Sequence, residues 1–326
     1  MADYKGIRGF TIQSLSADPP APIVGQVWYN TTSTVLKGYI SGAGAWASGS
    51  DLNQLRTEAG SAKLATQSTA MIFGGNYPGP GYADQTEQYD GTSWSEVADL
   101  VRGRSWPGGL GTNTAAMCVA GNYPTDTNYD EIWDGTSWSE TANTNTRRVG
   151  SATTGTTTAA LIAGGTPAIG GVNVEIWNGT SWSEVADLSR PSTQAGYMGS
   201  VGTTTAARVY GGSYPVVNLN EVWNGTSWTA ATVLGTARGA LASFGITTAA
   251  MAVGGTQDPP QVANTEKYDG TSWTELADIS TARTSVTGVG TTASGLVAGG
   301  NNGSSDVALT EEWVDPALVV KTFTAS

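Results

Sequence analysis

The tetrapeptide Gly-Thr-Ser-Trp occurs five times and puts tryptophan at 94, 138, 182, 228 and 273, with gaps of 44, 44, 46 and 45 residues. No other feature constrains the fold as much. A unit of this length cannot bury its own apolar face, so the copies must stack on one another, and about 45 residues is the length of a four-stranded propeller blade. Two further features keep step. A small-residue pair follows an apolar run at Gly74-Gly75, Ala120-Gly121, Gly164-Gly165, Gly211-Gly212, Gly254-Gly255 and Gly299-Gly300. An aromatic lies two residues beyond a glutamate at Glu87/Tyr89, Glu131/Trp133, Glu175/Trp177, Glu221/Trp223, Glu266/Tyr268 and Glu311/Trp313.

Within one unit the local patterns predict four strands. Residues 148–154 are small and suit a crowded axis, and 158–164 form an apolar strand that ends on the glycine pair. Residues 173–177 alternate, and Asn178-Gly179 then marks a tight hairpin before an outer strand that carries Trp182. The same Asp-Gly or Asn-Gly turn recurs at Asp90, Asp134, Asn224 and Asp269. As a turn residue, Asn explains Asn178-Gly-Thr and Asn224-Gly-Thr better than glycosylation does, because Asp replaces it in the sister copies.

Small strand, apolar strand with Gly-Gly, Glu-x-aromatic-Asp and then Trp, in phase over about residues 50–315, resembles the kelch repeat. Kelch repeats build β-propellers, so the resemblance implies an all-β, six-bladed, kelch-like propeller with four-stranded blades. Six Gly-Gly elements against five Gly-Thr-Ser-Trp elements leave one outer strand to find. Trp94, Trp138, Trp228 and Trp273 each precede an arginine by ten residues (Arg104, Arg148, Arg238, Arg283), and Trp46 precedes Arg56 by ten. Trp46 is therefore expected to fill the outer strand of the last blade beside the strand of Trp313, which closes the ring with an N-terminal strand and hides its edges. The alternative closure gives that place to 317–323 and packs 25–49 elsewhere.

Before the repeats, residues 1–22 contain Asp18-Pro19-Pro20-Ala21-Pro22 and read as an extended arm. Residues 23–49 read as a hairpin around Asn30–Thr34 plus the closing strand, and 50–326 as the propeller. Gly25-x-x-Trp28-Tyr29-Asn30-Thr31-Thr32, then Leu36-Lys37-x-Tyr39, then Ala45-Trp46, is similar to a short hairpin module of tail-fibre and other virion proteins of bacteriophages, especially marine ones. That resemblance implies a virion location and docking to other virion proteins through 1–22. It also implies multimers in the particle and a propeller that displays loops to a host-surface glycan or protein. A free kelch-type interaction scaffold is the alternative, and a glycan-processing enzyme a third.

The outer tryptophans Trp46, Trp94, Trp138, Trp182, Trp228 and Trp273 recur at one fixed place, which predicts packing of blade on blade. Each buries about 150–250 Å², worth several kcal/mol at about 25 cal/mol/Å². Glu87, Glu131, Glu175, Glu221, Glu266 and Glu311 share a strand face with their aromatics. They are expected to pair with the unit-starting Arg56, Arg104, Arg148, Arg190, Arg238 and Arg283 in a structural role.

Function in a repeat protein is sought where the copies differ, and the loops after the glycine pairs differ most. They carry Tyr77, Tyr82, Asp84, Tyr123, Asp126, Tyr129, Tyr214, Asp258 and Asn302, and Trp106 is expected beside them. Aromatic faces with small polar groups suit carbohydrate or protein surfaces. Asn301–Asp306 is rich in Asp and Asn but lacks the ligand spacing of a calcium loop.

Composition narrows the chemistry. The 326 residues contain no histidine, which removes imidazole bases, Ser-His-Asp triads and the histidine ligands of galactose-oxidase-like copper sites. Asp-Gly-Thr-Ser-Trp is similar to the sialidase Asp-box, but departs from it by one residue. A glycosidase would also need two carboxylates at a set separation, which no pattern here pairs. The one cysteine, Cys118, lies on an apolar strand and reads as a buried inert thiol. A formal net charge of −12 opposes nucleic-acid binding. No apolar run is long enough for a membrane helix, and Lys5 and Arg8 precede no apolar segment, so neither membrane insertion nor a signal peptide is expected. No enzyme activity, metal or cofactor is expected.

Overall fold

The computed structural model describes residues 12–21, 25–41, 44–77, 81–166, 171–315 and 318–323. It is an all-β, propeller-like fold of seven four-stranded sheets, with two short 3-10 turns at Gln67–Thr69 and Ser192–Gln194. The chain divides into two compact units, one formed by 1–44 with 315–326 and the other by 45–314.

In the smaller unit Val27–Asn30 pairs antiparallel with Val35–Ser41, which confirms the hairpin; Asn30 Oδ1 caps the Thr32 and Ser33 N–H groups at 3.1 and 2.9 Å. Part of the extended stretch before it joins the same sheet. Gln13–Leu15 pairs parallel with Val27–Asn30. Asp18, in the Pro-rich stretch, accepts hydrogen bonds from Trp28 Nε1 (3.1 Å), Asn30 Nδ2 (2.8 Å) and Lys37 Nζ (2.8 Å). Lys37 and these partners hold the Asp18 carboxyl below its ordinary range. The fourth strand is Leu318–Phe323, paired antiparallel with Val35–Ser41. The strand expected by the alternative closure therefore belongs to this sheet, and the two units meet along the chain at 44/45 and 314/315. Residues 1–11, including Lys5 and Arg8, lie outside the described residues.

The larger unit holds six sheets. The third is representative: Ala152–Thr156, Ala159–Ala163, Val174–Trp177 and Trp182–Val185 pair in that order, each antiparallel to the next. The innermost strands of the six are Gly60–Ser61, Gly108–Thr112, Ala152–Thr156, Gly199–Gly202, Ala242–Ile246 and Thr287–Gly290. They begin a few residues later than the sequence suggested, because the arginine and the residues just after it form a turn. The sixth sheet takes its outer strand from the other end of the chain: Thr310–Val314 pairs with Ala45–Ser48, with Trp313 opposite Trp46 and the rings 5.4 Å apart.

The recurrent Gly-Thr-Ser-Trp follows from its turn. In all five copies the preceding Asp or Asn, at 90, 134, 178, 224 and 269, accepts hydrogen bonds from the Thr N–H, the Thr hydroxyl and the Ser N–H at 2.7–2.9 Å. The glycine between them has φ of +95 to +104°, a conformation that strains any residue with a Cβ. These bonds hold Asp134 and Asp269 down to about 2.

The tryptophan then lies opposite the aromatic of its neighbour strand in every sheet, with ring centroids 5.0–5.6 Å apart. It also reaches the preceding sheet. Trp94, Trp138 and Trp46 donate their indole N–H to Thr310, Thr86 and Thr265, the residue before the glutamate, at 3.0–3.1 Å. Phe73 packs edge-on to Trp138 at 4.8 Å. These contacts pack one sheet against the next. At the same position before the other glutamates stand Asp130, Val174 and Asn220. Accordingly the Trp228 indole finds no acceptor at Val174, and Trp182 lies near the Asp130 carboxylate without hydrogen-bond geometry.

All six glutamates pair with the six arginines, buried on both sides. Arg190 meets Glu221 at 2.6 Å and Arg283 meets Glu311 at 2.7 Å. Each pair is tied to main chain as well. Glu175 accepts the Asn145 N–H (2.7 Å) and the Thr146 N–H (3.2 Å), while Arg148 donates to the Asn173 (2.8 Å) and Gly164 (3.2 Å) carbonyls. The glutamate thus pins the connection arriving from the preceding sheet, and the arginine pins the glycine pair of its own.

Candidate functional site

Two residues beyond most of these arginines the backbone turns through positive φ. Glu58 (+62°), Trp106 (+51°), Gly150 (+65°), Tyr197 (+57°), Ala240 (+53°) and Ser285 (+55°) occupy the same place in successive sheets. Their main-chain groups form a closed cycle. Trp106 N–H bonds Glu58 O at 2.8 Å, Gly150 bonds Trp106 at 3.2 Å, Tyr197 bonds Gly150 at 2.7 Å, Ala240 bonds Tyr197 at 2.8 Å, Ser285 bonds Ala240 at 2.8 Å, and Glu58 bonds Ser285 at 3.3 Å. Five unrelated side chains and one glycine therefore share this cycle, on a backbone that treats all six positions alike.

Around this ring opens a cavity of about 340 Å³. It is lined by Glu58, Trp106 and Tyr197 of the cycle, and by Tyr214 and Asp258 from two of the divergent loops. Trp106 and Tyr197 meet edge to face at 4.4 Å across Gly150, and Tyr197 meets Tyr214 at 5.8 Å. A Cβ on Gly150 would come within 2.7 Å of the Tyr197 ring, so glycine is what lets the two aromatics touch. Burial raises Glu58 above its ordinary value, opposed by hydrogen bonds from Ser105 and Trp106. Among the described residues, no lysine or arginine lines this mouth.

Beneath it the channel narrows to a space of about 80 Å³ between the innermost strands. Hydroxyls bridge neighbouring strands there: Ser61 to Gly288 O, Thr153 to Gly109 O, Ser200 to Thr153 O and Ser243 to Ser200 O, at 2.8–3.2 Å. Five residues beyond the cycle, five sheets have a glycine at positive φ (Gly111, Gly155, Gly202, Gly245, Gly290), whereas the first has Lys63. The Lys63 ammonium crosses the channel to Ser200 Oγ (2.8 Å) and Ser243 Oγ (3.5 Å), and burial lowers its pKa to about 8.

The ten loop residues singled out from the sequence separate into distinct places. Trp106, Tyr214 and Asp258 come together at the mouth. Tyr82 meets Tyr123 at 5.8 Å on the loops of the first two sheets, where Tyr77 is half-buried. Tyr129 carries the Arg102 guanidinium at 4.3 Å, and Asp126 accepts a hydrogen bond from Asn122. Asp84 holds Leu100 through its carbonyl, and Asn302 caps its own turn through Ser304 and Ser305. Asn301 Nδ2 bonds Asp306, and among the described residues no group of three or more metal-ligating side chains forms. Sequence reasoning missed Glu58, Tyr197 and Lys63. Cys118 is fully buried, and burial pushes its thiol up to about 12.

No protein-family model matches the chain, and no curated protein matches it.

Proposed function

We propose that the chain is a six-bladed, kelch-like β-propeller that acts as a non-enzymatic virion appendage of a bacteriophage, resembling tail-fibre proteins. The closed cycle of six main-chain hydrogen bonds and the Trp46–Trp313 pairing support six blades closed by an N-terminal strand. The propeller displays its loop face to a host-surface glycan or protein, and residues 1–22 dock the chain to other virion proteins. One observation carries the binding function: a scaffold that repeats its turns, aromatic pairs and ion pairs six times departs from that repetition at the axial mouth. Differing side chains on an invariant backbone are what a recognition surface needs and what packing does not.

Two measurements test the reading. Electron microscopy of particles with a tag on this chain should place it on the surface, and particles made with residues 1–22 deleted should lack it; normal incorporation of the truncated chain refutes docking. Glycan and host-surface protein arrays should give hits that are lost in Trp106→Ala; hits unaffected by changes on the loop face refute the display surface, and hydrolysis of a hit refutes the non-enzymatic reading.

A further inference from the structure

We infer that the axial mouth is a receptor for a methylated ammonium group, the head of a small organic cation. This rests on the mouth being the binding surface and adds what it recognises. Three aromatics, Trp106, Tyr197 and Tyr214, line one cavity in edge-to-face sequence, with centroid spacings of 4.4 and 5.8 Å. Aromatic rings set at steep angles to one another surround a rounded cation better than they stack on a flat sugar ring, because each ring presents its electron-rich face in a different direction. The charged residues of the lining have one sign. Glu58 and Asp258 contribute carboxylates, and the described lining residues contribute no lysine or arginine to neutralise them. Asp306 adds a further negative charge near Glu58, and Asp126 one near Tyr197. The six repeat-borne arginines do not compensate, since each is committed to its own glutamate, and Lys63 lies deeper in the narrower space, where its ammonium is held by Ser200 and Ser243. A neutral ligand would leave this charge unanswered. A compact ammonium would be desolvated against aromatic faces while keeping carboxylates beside it.

The geometry also supplies the controls. Ala240 holds the Trp106 and Tyr197 position in another sheet at the same positive φ (+53°), so alanine is tolerated in that backbone. Trp106→Ala and Tyr197→Ala are therefore expected to fold, with circular dichroism and urea melts as the check.

The test is titration of the full chain with choline, followed by NMR line broadening of the choline methyls. The comparison ligands are 3,3-dimethylbutan-1-ol, which replaces the ammonium by a neutral carbon of the same shape, and Nα-acetyl-lysine amide, which offers a primary ammonium. Choline should bind with a dissociation constant on the order of 1 mM, and the neutral isostere at least about 10-fold more weakly. Trp106→Ala and Tyr197→Ala should each abolish detectable choline binding, and Glu58→Gln should weaken it several-fold. Equal binding of choline and its neutral isostere overturns the inference. So does equal binding of the primary ammonium, and so does choline binding that survives both aromatic substitutions. Array hits that map to the mouth while choline fails would leave the display reading standing and remove only the cation.

Discussion

The buried ion pairs offer the sharpest test of how this scaffold is held. In the third sheet, replacing Arg148 by Met and Glu175 by Leu removes both charges and keeps apolar bulk. For a pair that answers only itself, such a double replacement is neutral or stabilising by about 1–4 kcal/mol, whereas breaking one side alone costs about 3–5 kcal/mol. Here each partner also holds main chain. The double variant strips acceptors from the Asn145 and Thr146 N–H groups and donors from the Gly164 and Asn173 carbonyls. With the replacement of the pair itself taken as neutral, about 1 kcal/mol for each of the four groups left unanswered puts the double variant roughly 4 kcal/mol below the parent. Each single variant should lose a similar amount, so the cycle should show that little of either loss is recovered in the double. Urea unfolding followed by circular dichroism and tryptophan fluorescence reads all four proteins. A double variant within about 1 kcal/mol of the parent would show that the pair stabilises only itself, and the argument for its anchoring role would fall.

Val174→Thr should stabilise by about 1 kcal/mol, since it supplies the Trp228 indole with the hydroxyl that Thr86 gives Trp138; a loss of stability in the same melts refutes the assignment of that position. Asp130 is buried and raised to about 7 from 3.8, so the folded state keeps its proton longer than the unfolded chain does and stability falls as pH rises from about 4 to about 7. The ceiling on this loss is about 4 kcal/mol, and Asp130→Asn should flatten it, which melts at a series of pH values would check. Lys63 shows the opposite sign. With its pKa lowered from 10.5 to about 8, the unfolded chain binds the extra proton, so stability rises with pH between those values. Lys63→Met should abolish that rise and increase Tm at pH 7; an unchanged pH profile would place the ammonium in water.

Much of this was legible because repetition makes chemistry visible. The ten-residue offset from Trp46 to Arg56 matched the other units and placed Trp46 beside Trp313, where the strand register has it. The glutamates and arginines recur in phase, and they pair. The mouth was harder to see for the complementary reason. Its six positions carry Glu, Trp, Gly, Tyr, Ala and Ser, so nothing in composition links them; what they share is backbone conformation. Their signal was the place two residues after the arginine, and in the fourth sheet the 3-10 turn at Ser192–Gln194 moves Tyr197 out of that register. Lys63 showed itself only as the exception among five glycines. The partner of Leu318–Phe323 was not legible, since pairing between strands so far apart in the chain leaves no local mark.

That last pairing changes how the smaller sheet should be understood. Ser41 faces Leu318 across two antiparallel strands, and the chain between them leaves through Ala45 and returns at its register partner Val314. The strands are the two legs of one hairpin, and a complete folded body has been spliced in where a tight turn would suffice. Departure and return are each marked by a register pair, Ser41 with Leu318 in the sheet of the smaller unit and Ala45 with Val314 in a sheet of the larger. In sequence the larger unit is a single insertion between two paired strands of the smaller one, so changes within 45–314 leave the residues of both those strands unaltered.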